Sequence, residues 1–139
     1  MNKMRFQHCN CIVVFDKNKE KLLFCKRAKN PYKGLLNFVG GKVELEETSE
    51  HAAYRELFEE TVIAKKDIKL YRLMDMTYYQ KQFVLEIYMG ILEYDVPLIE
   101  EVNSLEWISI EDDFTDSNRY AGDKNIAHIV EVAKMFDVQ

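Results

Sequence analysis

Seven glutamates fall between Gly40 and Glu60, in the stretch GGKVELEETSEHAAYRELFEE, and three of them, Glu56, Glu59 and Glu60, crowd its last five residues. On a helical wheel these three, spaced i, i+3, i+4, lie within about 100° of one another. Ala53, Tyr54, Leu57 and Phe58 take a separate arc that can face a core. Like charges at i, i+4 destabilise a helix by a few tenths of a kcal/mol, roughly. A hard divalent cation removes that conflict. Mg²⁺, with Mn²⁺ as the alternative, binds carboxylate oxygens, keeps several waters and bridges to phosphates. It also polarises phosphoryl oxygens and acidifies a bound water, whose proton a carboxylate can take. A glutamate run by itself is a solvated helix face. The preceding glycines and the ordered spacing Gly41, Glu47, Arg55-Glu56, Glu59-Glu60 set this one apart.

The surrounding pattern predicts the elements that must hold this helix. CNCIVVF (Cys9–Phe15) and KLLFCKR are β-branched and apolar, separated by the polar turn Asp16–Glu20, and read as a hairpin. AKNPYKG is a loop, and LLNFV a short strand running into Gly40-Gly41. A helix is expected at about Ser49–Val62, capped by Thr48 or Ser49. IKLYRLMDMTYY and FVLEIYMGILEY read as long strands joined at Gln80-Lys81-Gln82, and SLEWISI as a further strand. EDDFTDSNRYAGDK is mostly turn. NIAHIVEVAKMF has helical apolar spacing at Ile126, Ile129, Val130, Ala133 and Phe136, beginning at Asn125. Strands, helix, strands, helix in one 139-residue chain predict a single α+β domain (1–139), a mixed sheet covered by helices.

Composition narrows the function. Hydrophobic residues make up 47% and charged residues 31%, which suits a packed core. The net charge of −5 argues against a DNA or RNA duplex partner, whose binding depends on neutralising phosphates. It leaves small phosphorylated ligands open, because a metal ion supplies positive charge locally. No apolar run approaches the ~20 residues of a membrane span; the longest is interrupted by Glu86. Cys9, Cys11 and Cys25 are odd in number and follow no secretory signal, so inert thiols in a reducing cytoplasm are expected.

The glutamate segment resembles the Nudix box, G-x5-E-x7-R-E-U-x-E-E-x-G-U with U aliphatic: Gly41, Glu47, Arg55, Glu56, Leu57, Glu59, Glu60 and Ile63 match. The lead-in NFVGGKVE is similar to that of MutT-type Nudix hydrolases. The resemblance implies the Nudix fold, an α/β/α sandwich, and a Mg²⁺-dependent hydrolase of a phosphoanhydride in a nucleoside diphosphate linked to another group. It implies Glu59 and Glu60 as principal metal ligands, Glu56 as a ligand or holder of a metal-bound water, and the Gly40 carbonyl as a further ligand. Arg55 and Glu47 would orient the carboxylates. The base is Glu56, or an acid from the loop before the strand of Trp107, where Glu101 has the matching spacing. For the substrate, the resemblance points to Arg27 at a phosphate or nucleoside, Phe38 against a base, and Asn125 on a purine edge. The plain alternatives are a surface arginine, a core phenylalanine and a helix cap. Tyr120 is expected to be a packed aromatic. The substrate implied is a nucleoside triphosphate cut to monophosphate and pyrophosphate, such as the oxidised purine 8-oxo-dGTP in nucleotide sanitisation. ADP-ribose and dinucleoside polyphosphates, or a nucleotide-binding module without turnover, are the alternatives, as monomer or homodimer. Two positions depart from the pattern. Val39 stands where many relatives have proline, and Val62 where the box has glycine, so Val62 is expected to extend or reshape the helix end.

Overall fold

The run Ile12–Phe15 is buried on both sides, and the reason is a sheet with a helix on each face. A computed structural model describes residues 5–100, 103–122 and 125–136. In chain order the elements are β1 (Gln7–Phe15), β2 (Lys21–Lys26), β3 (Leu36–Asn37), α1 (Ser49–Thr61), β4 (Tyr71–Tyr78), β5 (Phe83–Ile91), β6 (Ser104–Ser109) and α2 (Asn125–Met135). The sheet runs β3-β2-β1-β5-β4, with β6 also paired to β2. β1 and β5 are parallel over their full lengths, whereas β4·β5, β2·β6 and β2·β3 are antiparallel. The mixed α/β/α arrangement expected from the sequence is therefore present.

Alternation along β1 distributes its side chains. Val13 and Phe15 join Phe24, Ile87 and Met89 under Ile126, Ile129, Val130 and Ala133 of α2. Ile12 and Val14 join Leu23, Cys25 and Tyr88 under Ala53 and Leu57 of α1. Leu57 is fully buried, a contribution of about 1.5–3 kcal/mol for a side chain of its size.

The expected β1–β2 hairpin exists but diverges at once. Its only registered pair is Phe15↔Leu22, beside the turn. Into the gap between the strands comes the segment 39–43. Ile12 N–H donates to Val39 O (2.8 Å), Asn10 N–H to Gly41 O (2.8 Å) and Val43 N–H to His8 O (2.9 Å). This explains why LLNFV is not one strand. Leu36–Asn37 pairs with β2, and by Val39 the chain has crossed to β1.

α1 begins as the sequence indicates. Thr48 is extended at φ −74° and ψ 157°, and its Oγ1 accepts from His51 N–H at 3.1 Å. Its other end corrects an expectation. The helix is neither extended nor reshaped at Val62; the valine itself takes the left-handed conformation, φ 67° and ψ 6°, and its N–H donates to Phe58 O at 2.9 Å. Neighbouring contacts impose this. Thr61 is buried, its hydroxyl donates to Leu57 O (2.7 Å) and accepts from Ile63 N–H (3.0 Å), and Ile63 is fully buried. The chain must turn there to place Ile63 in the core, with or without a glycine. A β-branched residue in this conformation costs on the order of 1–2 kcal/mol. Val62→Gly should therefore raise stability by about 1 kcal/mol, seen as a higher urea midpoint at constant slope; an unchanged midpoint would mean Val62 is unstrained.

Candidate active site

The inserted segment 39–43 lies against β1 on one side and meets the carboxylate face of α1 on the other. Close approach of backbone requires Gly40, and at Gly41 a side chain would displace the Glu56 carboxyl. A Cβ on Gly40 would lie 2.1 Å from Asn10 O, and one on Gly41 2.5 Å from the Glu56 carboxyl. Gly40 N–H donates to Glu60 Oε2 at 2.8 Å. In the described contacts Gly40 is thus engaged through its amide, while the resemblance assigns its carbonyl.

One guanidinium organises the acids. Arg55 grips Glu47 with two bonds, Nη2 to Oε1 at 2.6 Å and Nε to Oε2 at 2.8 Å. Its Nη1 donates to Glu56 (3.0 Å) and to both oxygens of Glu59 (3.2 Å each), and its Nη2 also reaches Lys42 O (3.0 Å). Glu47 further accepts from the Glu44 amide (2.9 Å) and lies 2.8 Å from His51 Nδ1. Hydrogen bonds from Arg55 hold the Glu47 carboxyl down at about 2, and its partners push the arginine up. Arg55 thus bridges Glu47 to Glu56 and Glu59.

The other carboxylates shift the opposite way. Burial raises Glu60 to about 7, assisted by the charges of Glu56 and Glu59 and opposed by the Gly40 amide and the Arg27 charge. Burial also raises Glu56, against the pull of Arg55. Glu59 is half exposed. Three carboxylates, Glu47, Glu56 and Glu59, thus share the Arg55 cation, while Glu60 is held by the Gly40 amide. Among the described residues no three acidic, His or Cys side chains converge on one point as a ready cage; Arg55 instead holds Glu56 and Glu59. The donors nevertheless fit a hard divalent ion. All are oxygens, burial raises the carboxyls of Glu56 and Glu60, and a Cβ at Gly41 would press on the Glu56 carboxyl.

The remaining expected residues disperse. Arg27 closes its own loop, Nε donating to Pro31 O at 2.8 Å, with its charge close enough to lower Glu60. Phe38 is 4% exposed and stacked on Phe24 at 4.9 Å, so it occupies the core position named as its alternative. Asn125 opens α2 and donates from Nδ2 to Tyr78 Oη at 3.0 Å. Tyr120 is buried against Phe24 and Phe114. Glu101 lies outside the described residues, while its neighbour Glu100 accepts from Leu105 N–H at 2.6 Å. The thiols are free, and burial pushes Cys11 and Cys25 up to about 12. Two residues were missed. Asn10 holds Gly41, its Oδ1 accepting from Gly41 N–H at 3.0 Å, and Glu86 is buried beside it in the sheet. A glutamate inside the apolar run FVLEIYMGIL was the available signal for the second; nothing local marked the first.

The NUDIX domain model matches residues 5–129. The chain belongs to the NUDIX domain family. Members of this family hydrolyse pyrophosphate bonds and generally use a divalent metal such as Mg²⁺. No curated protein matches the sequence significantly. Among solved structures, the NUDIX domain of Shewanella oneidensis NrtR, complexed with ADP ribose, is 18% identical with a TM-score of 0.73, covering 96% of this chain and 88% of that one. A Caenorhabditis elegans Ap4A hydrolase binary complex is 15% identical with a TM-score of 0.73, covering 91% and 95%. A MutT/nudix family protein from Enterococcus faecalis is 20% identical with a TM-score of 0.68. That match covers 78% of this chain, which spans only 46% of the Enterococcus protein. At these identities the likeness is one of fold.

Glu60 gives the site a pH signature. Its folded value of about 7 exceeds its ordinary 4.5, so the folded state holds this proton more tightly than the unfolded chain. Metal-free stability should therefore fall as pH rises from about 4.5 to about 7 and level off above. The depressed Glu47 acts in a separate, lower window, from 4.5 down to about 2. Thermal unfolding in chelator from pH 5 to 8 should show the decline in wild type and a flatter curve in Glu60→Gln; parallel curves would contradict the buried-acid assignment.

Proposed function

We propose that the chain is a Mg²⁺-dependent hydrolase of nucleoside triphosphates that releases a nucleoside monophosphate and pyrophosphate, with oxidised purine nucleotides such as 8-oxo-dGTP as the leading substrate. The observation that carries this reading is the desolvated pair Glu56 and Glu60 beside Gly40-Gly41, Glu56 aligned by Arg55 and Glu60 by the Gly40 amide. Glu56, Glu59 and Glu60 would hold the metal, with the Gly40 carbonyl and Glu101 as the further ligands. When bound, the ion supplies Lewis acidity to phosphoryl oxygens and lowers the pKa of water. Mn²⁺ suits the same oxygens.

The protein's own groups divide the remaining work. Arg55 keeps Glu56 and Glu59 oriented through charge-assisted bonds, while the Glu47 fork fixes Arg55 itself. Glu56 is the base: burial raises its carboxyl above the ordinary value, and the bond from Arg55 fixes its orientation. Arg27, whose charge reaches Glu60, meets the phosphate chain. Asn125, with one amide hydrogen directed to Tyr78, meets the purine edge at the first turn of α2. The MutT lean rests on the NFVGGKVE lead-in, Arg27 and Asn125. The ligand named for the Shewanella domain and the activity named for the nematode enzyme make ADP-ribose and dinucleoside polyphosphates the comparison substrates. We place the protein in the cytoplasm, as monomer or homodimer.

The test is a substrate panel with product identification: normal and oxidised dNTPs, ADP-ribose, NADH and diadenosine polyphosphates, each with and without Mg²⁺. Pyrophosphate and monophosphate should appear from an oxidised purine triphosphate only with metal, and Glu60→Gln should lower kcat by ~100-fold, the loss typical of disturbing a metal site. Equal inactivity of wild type and variant on every compound would make the chain a binding module. In a separate measurement, Gly41→Ala should fold yet lose activity by ~10- to 100-fold through displacement of the Glu56 carboxyl.

A further inference from the structure

The α1 face of the sheet contains a buried carboxylate that the proposed chemistry leaves unused. Glu86, in the middle of β5, is 1% exposed. Its Oε2 accepts from Ser49 Oγ (3.0 Å) and lies 2.7 Å from His8 Nδ1 and 3.4 Å from Arg72 Nη2. Its Oε1 is buried with no hydrogen-bond partner among the described residues. The other buried side-chain atom in that position is Asn10 Nδ2. The two residues are Cα partners in the parallel β1·β5 ladder, so their side chains leave the sheet on the same face. A buried donor and a buried acceptor, each lacking a partner, therefore stand side by side on adjacent strands. Buried polar groups are costly when unpaired. One water shared between the two atoms would satisfy both.

The rest of Asn10 is committed to the glycine segment. Its amide donates to Gly41 O, its Oδ1 accepts from Gly41 N–H, and its carbonyl is the atom that keeps position 40 free of a side chain. Gly41 in turn abuts Glu56, and Gly40 binds Glu60. On its far side Glu86 borders a cavity of about 610 Å³ lined also by His8, Ser49 and Arg72. Those three fix one carboxylate oxygen from the solvent side and leave the other for Asn10.

We propose that Asn10 and Glu86 are positioning residues for the metal-binding carboxylates. Glu86, held by His8, Ser49 and Arg72, orients the Asn10 amide; Asn10 then sets the Gly40-Gly41 peptides against Glu60 and Glu56. Neither residue touches metal or substrate. The inference rests on Glu56 and Glu60 being metal ligands, as in the proposed function.

The exchange of the two functional groups is the decisive experiment. Asn10→Asp and Glu86→Gln are nearly isosteric. Asn10→Asp alone sets two acids together, and Glu86→Gln alone leaves a single oxygen to serve both Asn10 and the Ser49 and Arg72 donors, whereas together the two changes restore the match in reverse. Asn10→Asp keeps an oxygen for Gly41 N–H, and Glu86→Gln keeps one for Ser49. Mn²⁺ affinity would be measured by electron paramagnetic resonance on the intact chain. Each single variant should bind ~10- to 100-fold more weakly, and the double variant should return to within about threefold of wild type. Amide exchange at Gly41 should quicken in the singles and slow again in the double. In turnover, kcat should follow the affinity at saturating substrate while KM for nucleotide stays level. Singles that bind Mn²⁺ as wild type does, or a double no better than the worse single, overturn the proposal. If one single fails to fold, recovery of folding, Mn²⁺ binding and slow Gly41 exchange in the double supports it, and a double that folds without Mn²⁺ affinity overturns it. A wild type that binds Mn²⁺ but hydrolyses nothing removes the hydrolase reading and leaves this one to the affinity data.

Discussion

The structure depends on one arginine shared among acids that would otherwise repel. Arg55 ties the loop before α1, through Glu47 and Lys42 O, to the helix itself, through Glu56 and Glu59. A lysine could not substitute. Its ammonium is a point charge, whereas the planar fork presents several donors in fixed directions. The bidentate grip on Glu47 removes one carboxylate from competition and leaves the remaining donors to align the acids that face the glycines. Glu60 lies outside that grip, and its part-buried carboxyl is raised to about 7, chiefly by desolvation and then by the charges of Glu56 and Glu59.

The bond from Gly40 to Glu60 requires a backbone able to come close. The divergence of β1 and β2 beyond Phe15↔Leu22 opens a slot, and residues 39–43 fill it as an extra antiparallel neighbour of β1. Side chains at positions 40 and 41 would collide with Asn10 O and with the Glu56 carboxyl. The glycines are thus a packing demand between two layers. The aromatic cluster of Phe24, Phe38, Phe114 and Tyr120 sits on the opposite face, in the core under α2.

The local parts of this arrangement were legible in the sequence. β-branched and apolar runs marked the strands, a Thr48 or Ser49 cap marked the first helix and apolar spacing the second, and the i, i+3, i+4 glutamates marked the acidic face. What failed was non-local. Val62 was expected to alter the helix end because valine disfavours positive φ, yet the burial of Thr61 and Ile63 outweighs that local preference. Phe38 has the alternative of a core residue in any sequence reading, and only the packing of Phe24 against it decides the matter. Asn10 resembles any polar residue at a strand's start, since its significance comes from Gly41 and Glu86, neither near it in the chain. Glu86 was visible as an anomaly within an apolar run, but its partners His8, Ser49 and Arg72 come from three other elements.

The parallel ladder between β1 and β5 has a bearing on synthesis. Strand β1 carries the residue that grips Gly41, and its full-length neighbour is Phe83–Ile91. During translation the glycine segment and the acidic helix both leave the ribosome well before that neighbour. A nascent chain ending at Tyr78 thus contains every glutamate of α1 but lacks the strand that backs β1. The pairing that backs β1 therefore cannot form until residues 83–91 have been made.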